Sequence, residues 1–569
     1  MQKRWTIKKH NQDEVKLLAN ELKVSPITAA LLISRGYETG EKAFKFLNPN
    51  YSDLHEPNLL KGMKESVRRI LKAIENNEKI LIWGDYDVDG TTGTVVLRKA
   101  LEILGAETGF HIPHRFTEGY GINIPALEQA KKDGYSLVIS VDCGIRGFEP
   151  LAWAEENDLD VIVTDHHLAD DTKGNPLAFS VINPNQSECT YPDKNLAGVG
   201  VAFKLVHALL RERNKEKFIR GFLKMVAIGT IADVMSLTGE NRTIVSLGLK
   251  DLPKAVNFGL KALMEVADCN NEMTSYDIGF RIAPRINAAG RMDAAREIVN
   301  LFEADTFEAA RNLAEMLDMR NRERQKMQKE ITELAFLETK NIIDQNFIVV
   351  AGENWHRGVI GLAASKIAEK LYRPVIVISL EDGIGHGSAR SIANYHLLSG
   401  MDSCADLFEQ YGGHAAAAGM KIKKENIEEL QKKLNEHAGS NLSPEDFIPE
   451  LKIDAVVSSQ TLSLDLVREL KQFEPFGMGN SRPKFVTKDL VLVSEPFVMK
   501  EKHLKLKLAG EKGKQFEAVW WDGVEKSKKQ TLKPKNRIEL AYTPEANTWK
   551  GNTRLQLVVE DLRTDKKES

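Results

Sequence analysis

The stretch Lys79-Ile-Leu-Ile-Trp-Gly-Asp-Tyr-Asp-Val-Asp-Gly90 constrains the chain more than any other. Ile80 to Trp83 is a short apolar run of the kind that forms a strand buried on both faces of a parallel sheet. Three carboxylates follow at alternate positions, Asp85, Asp87 and Asp89, with Gly90 directly behind them. From Thr91 the sequence reads as a helix that Gly105 closes. The acids therefore sit where a strand hands over to a helix, at the edge where open α/β sheets bind ligands. Like charges this close repel unless a cation neutralises them, and hard oxygen ligands favour magnesium, manganese or calcium. Read alone, the stretch equally fits a calcium-loop mimic or a solvated acidic turn.

Three later segments repeat the pattern. Ser136–Val141 ends in Asp142-Cys143-Gly144, Asp160–Thr164 ends in Asp165-His166-His167, and the apolar run from Met225 leads into Asp233. In a parallel sheet the C-terminal ends of strands share one edge, so these clusters can converge. A single Asp after a strand is most often a helix N-cap. Four such arrivals, one with adjacent histidines, are poorly explained by capping. Carboxylates from several strands plus an imidazole suit two divalent cations, manganese or magnesium, the arrangement that hydrolyses phosphoesters. Because His166 and His167 are consecutive, one is expected to ligate and the other to stand behind it or contact a phosphate.

Bulk properties exclude several classes. The 569 residues suffice for three or four domains, and 42% apolar with 28% charged residues is an ordinary globular mixture. A net charge of −3 excludes a global polycation, so any nucleic-acid binding must come from local basic surface. Cys143, Cys189, Cys269 and Cys404 lie too far apart for a zinc site or a disulfide framework, which points to a reducing, cytoplasmic setting. The N-terminus lacks the apolar core of a signal peptide, and no apolar run approaches the roughly 20 residues of a membrane span. There is no internal repeat or low-complexity tract.

Asp-Tyr-Asp-Val-Asp-Gly, Val-Asp-Cys-Gly, Asp-His-His and the later Asp233 resemble, in order and spacing, the four motifs of the DHH phosphoesterases. The resemblance implies a manganese- or magnesium-dependent phosphodiesterase. It implies metal ligands among Asp85, Asp87, Asp89, Asp142, His166 and Asp233, and direct parts in catalysis for Asp87, Asp89, Asp142 and His167. How the first three acids divide the work stays open.

Further stretches narrow the branch. His111-Ile-Pro-His-Arg115-Phe-Thr-Glu-Gly-Tyr120 places an arginine among aromatics and glycines, which suits phosphate capture with base stacking or, alone, a loop fixed by packing. Gly279-Phe-Arg-Ile-Ala-Pro-Arg285-Ile-Asn287-Ala-Ala-Gly290-Arg291 offers two arginines, an amide and a close glycine for a phosphate backbone. This stretch resembles the motif of the family's branch of 5′-end-dependent single-strand DNA exonucleases. Residues 296–340 read as one long charged helix joining two domains. Its Arg320, Arg322, Arg324, Lys326 and Lys329 read as a solvated face in preference to a DNA contact.

A second α/β unit follows. It carries Asn354-Trp355-His356-Arg357-Gly358, Gly387-Ser388-Ala389-Arg390, and Gly412-Gly413-His414 with four alanines, the last read as a glycine turn that starts a helix. These resemble the DHH-associated substrate domain. The resemblance implies that Ser388 and Arg390, with Arg115, receive a 5′-phosphate, and that Tyr120, Arg285, Asn287, Arg291, His356, Gly412, Gly413 and His414 bind substrate. From Phe485 to about Leu562 short alternating strands fit a five-stranded OB barrel. Trp520, Trp521, Tyr542 and Trp549 serve there as stacking faces, with at least one Trp in the barrel core. No further domain is expected after it.

The expected fold is α/β: two α/β domains joined by a long helix, plus a C-terminal all-β OB barrel. The expected boundaries are an N-terminal helical segment 1–75, a DHH domain 76–295, a connecting helix 296–344, a DHH-associated domain 345–445, and a linker with the OB barrel at 446–569. The expected function is 5′→3′ hydrolysis of single-stranded DNA to 5′-mononucleotides in repair and recombination, with two divalent cations. A helicase and a single-strand-binding protein are the expected partners, and no membrane is. Two alternatives remain at this point: a family enzyme acting on oligoribonucleotides or cyclic dinucleotides, and a catalytically silent DNA-binding scaffold. The Arg285–Arg291 stretch and the barrel count against the first, and the complete set of motif acids against the second.

Overall fold

The structure, a computed structural model, describes residues 3–115, 117–170, 172–269, 272–291, 295–528 and 530–564. Its first strand, β1 (Arg4–Ile7), pairs in parallel with a strand near the far end of the chain, Glu450–Ile453. The helices Gln12–Leu22, Pro26–Ser34 and Gly40–Leu47 follow, and their apolar residues Val15, Leu18, Leu31, Leu32 and Phe46 belong to the core of the C-terminal barrel. The helix Met63–Glu75 instead buries Met63, Val67 and Ile70 in the first α/β domain. The expected segment 1–75 is therefore two pieces, divided near residue 50. Amphipathic helices show which face they bury but not against what, so sequence could not assign them.

Strands β2 (Lys79–Gly84), β3 (Thr108–His111), β4 (Tyr135–Val141), β5 (Asp160–Thr164) and β6 (Ser180–Ile182) form a wholly parallel sheet in the order β3-β2-β4-β5-β6. Alternate residues enter separate cores on the two faces, Ile80, Ile82 and Ile139 on one, Leu81, Trp83 and Val138 on the other. That two-sided burial is why these strands read as unbroken apolar runs. The chain departs from β2 to opposite sides, to β3 and then to β4. The crevice outside the ends of β2 and β4 is thus the topological switch point.

Two expected elements differ. The run Met225–Ala232 is not a strand but the second half of the helix Ile219–Ala232, buried through Met225–Thr230. A short, wholly apolar run has no period to separate a buried helix from a buried strand. The helix expected from Thr91 begins at Val88, with Asp87 as its N-cap, so Asp89 and Gly90 lie in its first turn.

The expected single connecting helix is a short helix, Ala295–Phe302, followed by one of 32 residues, Phe307–Glu338. Ala310, Ala314 and Leu317 of the longer helix pack into the first domain, and Ile331 and Ala335 into the second. The second domain has β7 (Ile348–Glu353), β8 (Val375–Glu381), β9 (Ile384–Arg390), β10 (Phe408–Gly413) and β11 (Ala417–Lys423), in the order β10-β11-β9-β8-β7. Gly412-Gly413-His414 starts no helix; it closes the β10–β11 hairpin. A Cβ on Gly413 would lie 2.4 Å from the Ala417 carbonyl oxygen, so glycine is required for this tight reversal.

After β12 (Glu450–Ile453) and β13 (Ala455–Val456) come β14 (Phe485–Leu492), β15 (Phe497–Met499), β16 (His503–Ala509), β17 (Gln515–Trp520), β18 (Arg537–Trp549) and β19 (Asn552–Thr564). The run β14-β18-β19-β17-β16 closes through a β14–β16 pairing, which makes the expected five-stranded barrel. Trp520 and Tyr542 fill its interior, with the Tyr542 hydroxyl 2.7 Å from Thr487 Oγ1, so Tyr542 is not a stacking face; Trp521 and Trp549 are exposed. Arg242 ties three regions together. It donates to the carbonyls of Phe46, Gln472 and Phe473 and lies 3.7 Å over the Phe46 ring. Among the described residues no single helix is long and apolar enough to cross a membrane, and the four cysteines are free and buried.

Candidate active site

The ends of β2 and β4 deliver Asp85 and Asp142 side by side at the switch point. Asp142 adopts a left-handed backbone, φ 64°, a conformation that Asp tolerates better than most residues and that re-aims its side chain after the strand. Asp87 caps the following helix by accepting from Gly90 N at 3.0 Å. Asp89 reaches a second helix N-terminus: its carboxylate accepts from Gly198 N at 2.6 Å and Val199 N at 2.8 Å. A Cβ on Gly198 would lie 2.6 Å from Asp142 Cβ, so glycine here lets that helix end approach both acids.

His166 Nε2 lies 3.1 Å from Asp142 Oδ1, 3.6 Å from Asp233 Oδ2 and 3.9 Å from Asp89 Oδ2. His167 lies beside the cluster, its Nδ1 2.8 Å from Asp165 Oδ1 and 3.9 Å from Asp142 Oδ1. Asp165 also accepts from the backbone N–H groups of Ile145 at 2.9 Å and His166 at 2.7 Å. Asn183 and Asn185 donate to the carbonyls of His167 and His166 at 2.9 and 2.7 Å. These three residues hold the histidine loop and are absent from the expected site. Asp165 opens the Asp-His-His motif, and the signal for the two asparagines lies in Asn183-Pro-Asn185, which follows the strand β6 as the other motifs follow theirs.

The electrostatics of the cluster suit a bound cation. Burial, then neighbouring carboxylates, push Asp85, Asp89 and Asp142 well above the usual carboxylate range. Asp233 is pushed up to about 7 by burial and by Asp87. Burial, then His167, lowers His166 to about 4, so its imidazole is neutral and able to ligate. Burial alone would raise Asp165, yet the bonds from His167 and the backbone hold it below the usual range. Asp85 Oδ1, Asp142 Oδ1 and His166 Nε2 are buried with no hydrogen-bond partner among the described residues. Buried polar atoms left unpartnered are costly, and a cation is what this donor set would satisfy. Ligand atoms of Asp85, Asp87 and Asp142 lie within 4.8 Å of one another, as do those of Asp89, His166 and Asp233. A third trio, Asp142, His166 and His167, meets the same distance and shares Asp142 and His166 with the other two, so the overlapping set can serve two cations.

A second charged cluster spans both α/β domains. Arg291 is lowered to about 10, first by burial and then by Arg115, Arg324 and Arg390. Arg115 lies 4.9 Å over the Tyr86 ring, in the acid loop. Arg291 donates to the Gly358 carbonyl across the domain boundary at 3.0 Å. Arg390 donates to Ser388 Oγ and Ser365 Oγ, each at 3.1 Å. Among the described residues none of these four arginines forms an ion pair with a carboxylate. Arg324 is an addition to the expected set; its run of basic neighbours disguises it as solvated surface.

The other expected substrate residues fall in several places. The Tyr120 hydroxyl donates to the Asp142 carbonyl at 3.0 Å. Arg285 differs from expectation: its guanidinium is 2.8 Å from the buried Asp318 and ties its helix to the connecting helix instead of offering a phosphate surface. Gly290, expected to admit a phosphate backbone, instead admits the protein's own, since a Cβ there would sit 2.3 Å from the Tyr86 carbonyl oxygen. Asn287 lines a cavity beside Asp233. His356 Nδ1 accepts from Gly358 N at 3.1 Å and caps the helix Arg357–Leu371. Gly412, Gly419 and Ser388 lie in one row across the second sheet, and His414 is exposed in the hairpin loop.

Family models match three stretches: the DHH family N-terminal domain over residues 79–230, the DHHA1 domain over 344–440 and the RecJ OB domain over 453–561. The single-stranded-DNA-specific exonuclease RecJ of Bacillus subtilis is 40% identical over 98% of this chain and 70% of its own length. The crystal structure of RecJ in complex with Mn2+ from Thermus thermophilus superposes with a TM-score of 0.84 at 29% identity, covering 98% of this chain and 79% of that one. The Mg2+ complex of the same protein superposes with a TM-score of 0.79 at 28% identity, covering 98% and 78%.

Proposed function

The chain belongs to the RecJ family, and we propose that it acts as a single-stranded-DNA-specific exonuclease that starts at the 5′ end. The observation that carries this reading is the pair of complementary clusters. Among the described residues, buried acceptor atoms of Asp85, Asp142 and His166 lack partners, and Arg115, Arg291, Arg324 and Arg390 lack acids. The first calls for cations and the second for a phosphate.

In this reading Asp85, Asp87, Asp89, Asp142, His166 and Asp233 hold two divalent cations, manganese or magnesium. When bound, the cations activate water and stabilise developing charge on the phosphodiester oxygens. The chain's own residues do the rest. Gly198 and Val199 N–H groups fix the Asp89 carboxylate, and Asp165 orients His167 so that its other nitrogen addresses a phosphate oxygen. Arg115, Arg291, Ser388 and Arg390 seat the 5′-terminal phosphate. Tyr120, His356 and the Gly412–His414 hairpin flank the strand, and the exposed faces of the barrel hold its continuation. Hydrolysis of the first phosphodiester then releases a 5′-mononucleotide. The domains divide this work as a catalytic domain, a phosphate-binding domain and a strand-holding barrel. Repair and recombination in the cytoplasm, beside a helicase and a single-strand-binding protein, is the setting that fits such an activity.

The test is digestion of 5′-labelled single strands with manganese, beside duplex and RNA controls. The label is expected to leave first, as a mononucleotide, and only from the DNA single strand. Release from the 3′ end first, or equal attack on duplex, overturns the reading.

A further inference from the structure

A cavity of about 420 Å³ opens beside the acid cluster, walled by Val234, Tyr276, Phe280, Asn287, Met478 and Arg482. One end adjoins Asp233, through its neighbour Val234. The other is the segment Phe476–Arg482 that runs into the barrel. Tyr276 and Phe280 stack on one another, ring centroids 4.7 Å apart and 25° between planes, yet they are 53% and 69% exposed. Val234 and Met478 beside them are 61% and 58% exposed. A contiguous apolar surface left open to water marks an interaction site. The local fold holds the pair in place. A capping box between Thr274 and Asp277 fixes the start of the helical stretch, and Phe280 lies in a π-helical turn, Ile278–Ile282, a geometry common at functional sites.

We propose that Tyr276 and Phe280 form a base-stacking station for the part of the strand lying 3′ of the bond being cut. Continuity names the occupant, because the groove joins the acid cluster to the barrel. The arginine cluster faces the second α/β domain, where Arg291 donates to the Gly358 carbonyl, whereas the groove is walled by the segment that leads into the barrel, so a strand seated by its 5′-phosphate at the arginines would continue 3′ into the groove. Every base offers a π-face, so such a station holds the strand without selecting sequence. This inference rests on the exonuclease reading above.

The test is equilibrium binding of fluorescent single strands with metal chelated, so that no bond is cut. An abasic nucleotide is scanned along the strand, and wild type is compared with the double variant Tyr276→Ala/Phe280→Ala. One or two adjacent abasic positions should weaken wild-type binding about tenfold, and the double variant should lose a similar factor on the intact strand. Those abasic positions should then cost the double variant nothing further, and its salt dependence should match wild type, since no phosphate contact is removed. Phe280→Trp, which keeps a stacking face, should behave as wild type. An undiminished abasic penalty in the double variant, unchanged affinity for the intact strand, or a shallower salt dependence overturns the station. Failure of the exonuclease reading is seen separately, as intact 5′ label after wild type is incubated with manganese.

Discussion

Nε2 of His166 and Oδ1 of Asp142 lie 3.1 Å apart, both buried, and neither has a hydrogen-bond partner among the described residues. The neutral imidazole and the carboxylate both present lone pairs to one point. Removing either donor should strip a cation. We expect Asp142→Ala and His166→Ala each to lower turnover by at least about a hundredfold, because nucleophile activation and charge stabilisation are lost together. Binding of single strands should survive in part. Single-turnover rates across a manganese titration check this, and near-normal turnover by Asp142→Ala would show that the acids do not form the metal site.

The same buried charges set a pH dependence of stability. Asp233 is raised from 3.8 to about 7, so across that window the folded chain keeps a proton that the unfolded chain has released. Stability from this group is full below about 4 and is lost as pH rises through about 7; Asp85, Asp89 and Asp142 act in the same direction. Asp87 and His167, both raised, add to this direction, whereas His166, lowered to about 4, and Asp165, held below the usual carboxylate range, oppose it. Metal-free protein should therefore unfold at a lower temperature at pH 8 than at pH 5, and manganese should restore more at pH 8. Calorimetry with chelator and with manganese decides the matter, and a metal-free Tm that rises with pH contradicts it.

Polarity should reside in the arginine cluster, since the acids alone prefer neither strand end. A charge-assisted hydrogen bond to phosphate contributes roughly 1.5–3 kcal/mol, so a 5′-phosphate should be favoured over a 5′-hydroxyl by about ten- to a hundredfold. Arg390→Ala should erase most of that preference. Initial rates on the two kinds of strand, for wild type and variant, are the measurement. Equal wild-type rates would remove the pocket, and a variant with full preference would remove Arg390 from it.

The barrel should contribute grip through its exposed rings. Trp521 and Trp549 are 51% and 74% exposed, whereas Trp520 and Tyr542 are interior. Trp549→Ala should weaken binding of long single strands by about five- to a hundredfold, the range of one lost stacking contact, and leave the Tm in place. Trp520→Ala should instead lower the Tm, because it empties the barrel core. Fluorescence anisotropy and thermal unfolding separate the two. Loss of affinity without loss of Tm in Trp520→Ala would invert the assignment.

Where the sequence is legible, one residue type does one job. Asp85, Asp142 and His166 follow apolar strands, and the strand-end rule for open sheets puts them on one edge whatever the rest of the chain does. Met225–Ala232 reads as a strand because complete burial erases periodicity. Asp233 nevertheless arrives at the cluster, since a helix end can deliver a side chain as well as a strand end. Arg285 and Arg324 differ from their sequence reading for a different reason: Arg285 is paired with an acid and, among the described residues, Arg324 is not. Sequence shows that a guanidinium is present but not whether an acid such as Asp318 is waiting for it. The second-domain hairpin at Gly413 needs a cross-strand distance that no local pattern contains.

The first and last parts of the described chain share one core. Strand β1 pairs with β12, Lys3 Nζ donates to the Glu560 carbonyl at 3.2 Å, and Val15, Leu31 and Phe46 pack with Leu540 and Leu557. A ribosome releases these partners more than four hundred residues apart. The opening helices must therefore wait, with their apolar faces uncovered, while the catalytic sheet assembles behind them from near neighbours. Completion of the barrel is the event that closes the molecule. A chain truncated before β19 would therefore lose its barrel and leave its N-terminal helices unfolded as well.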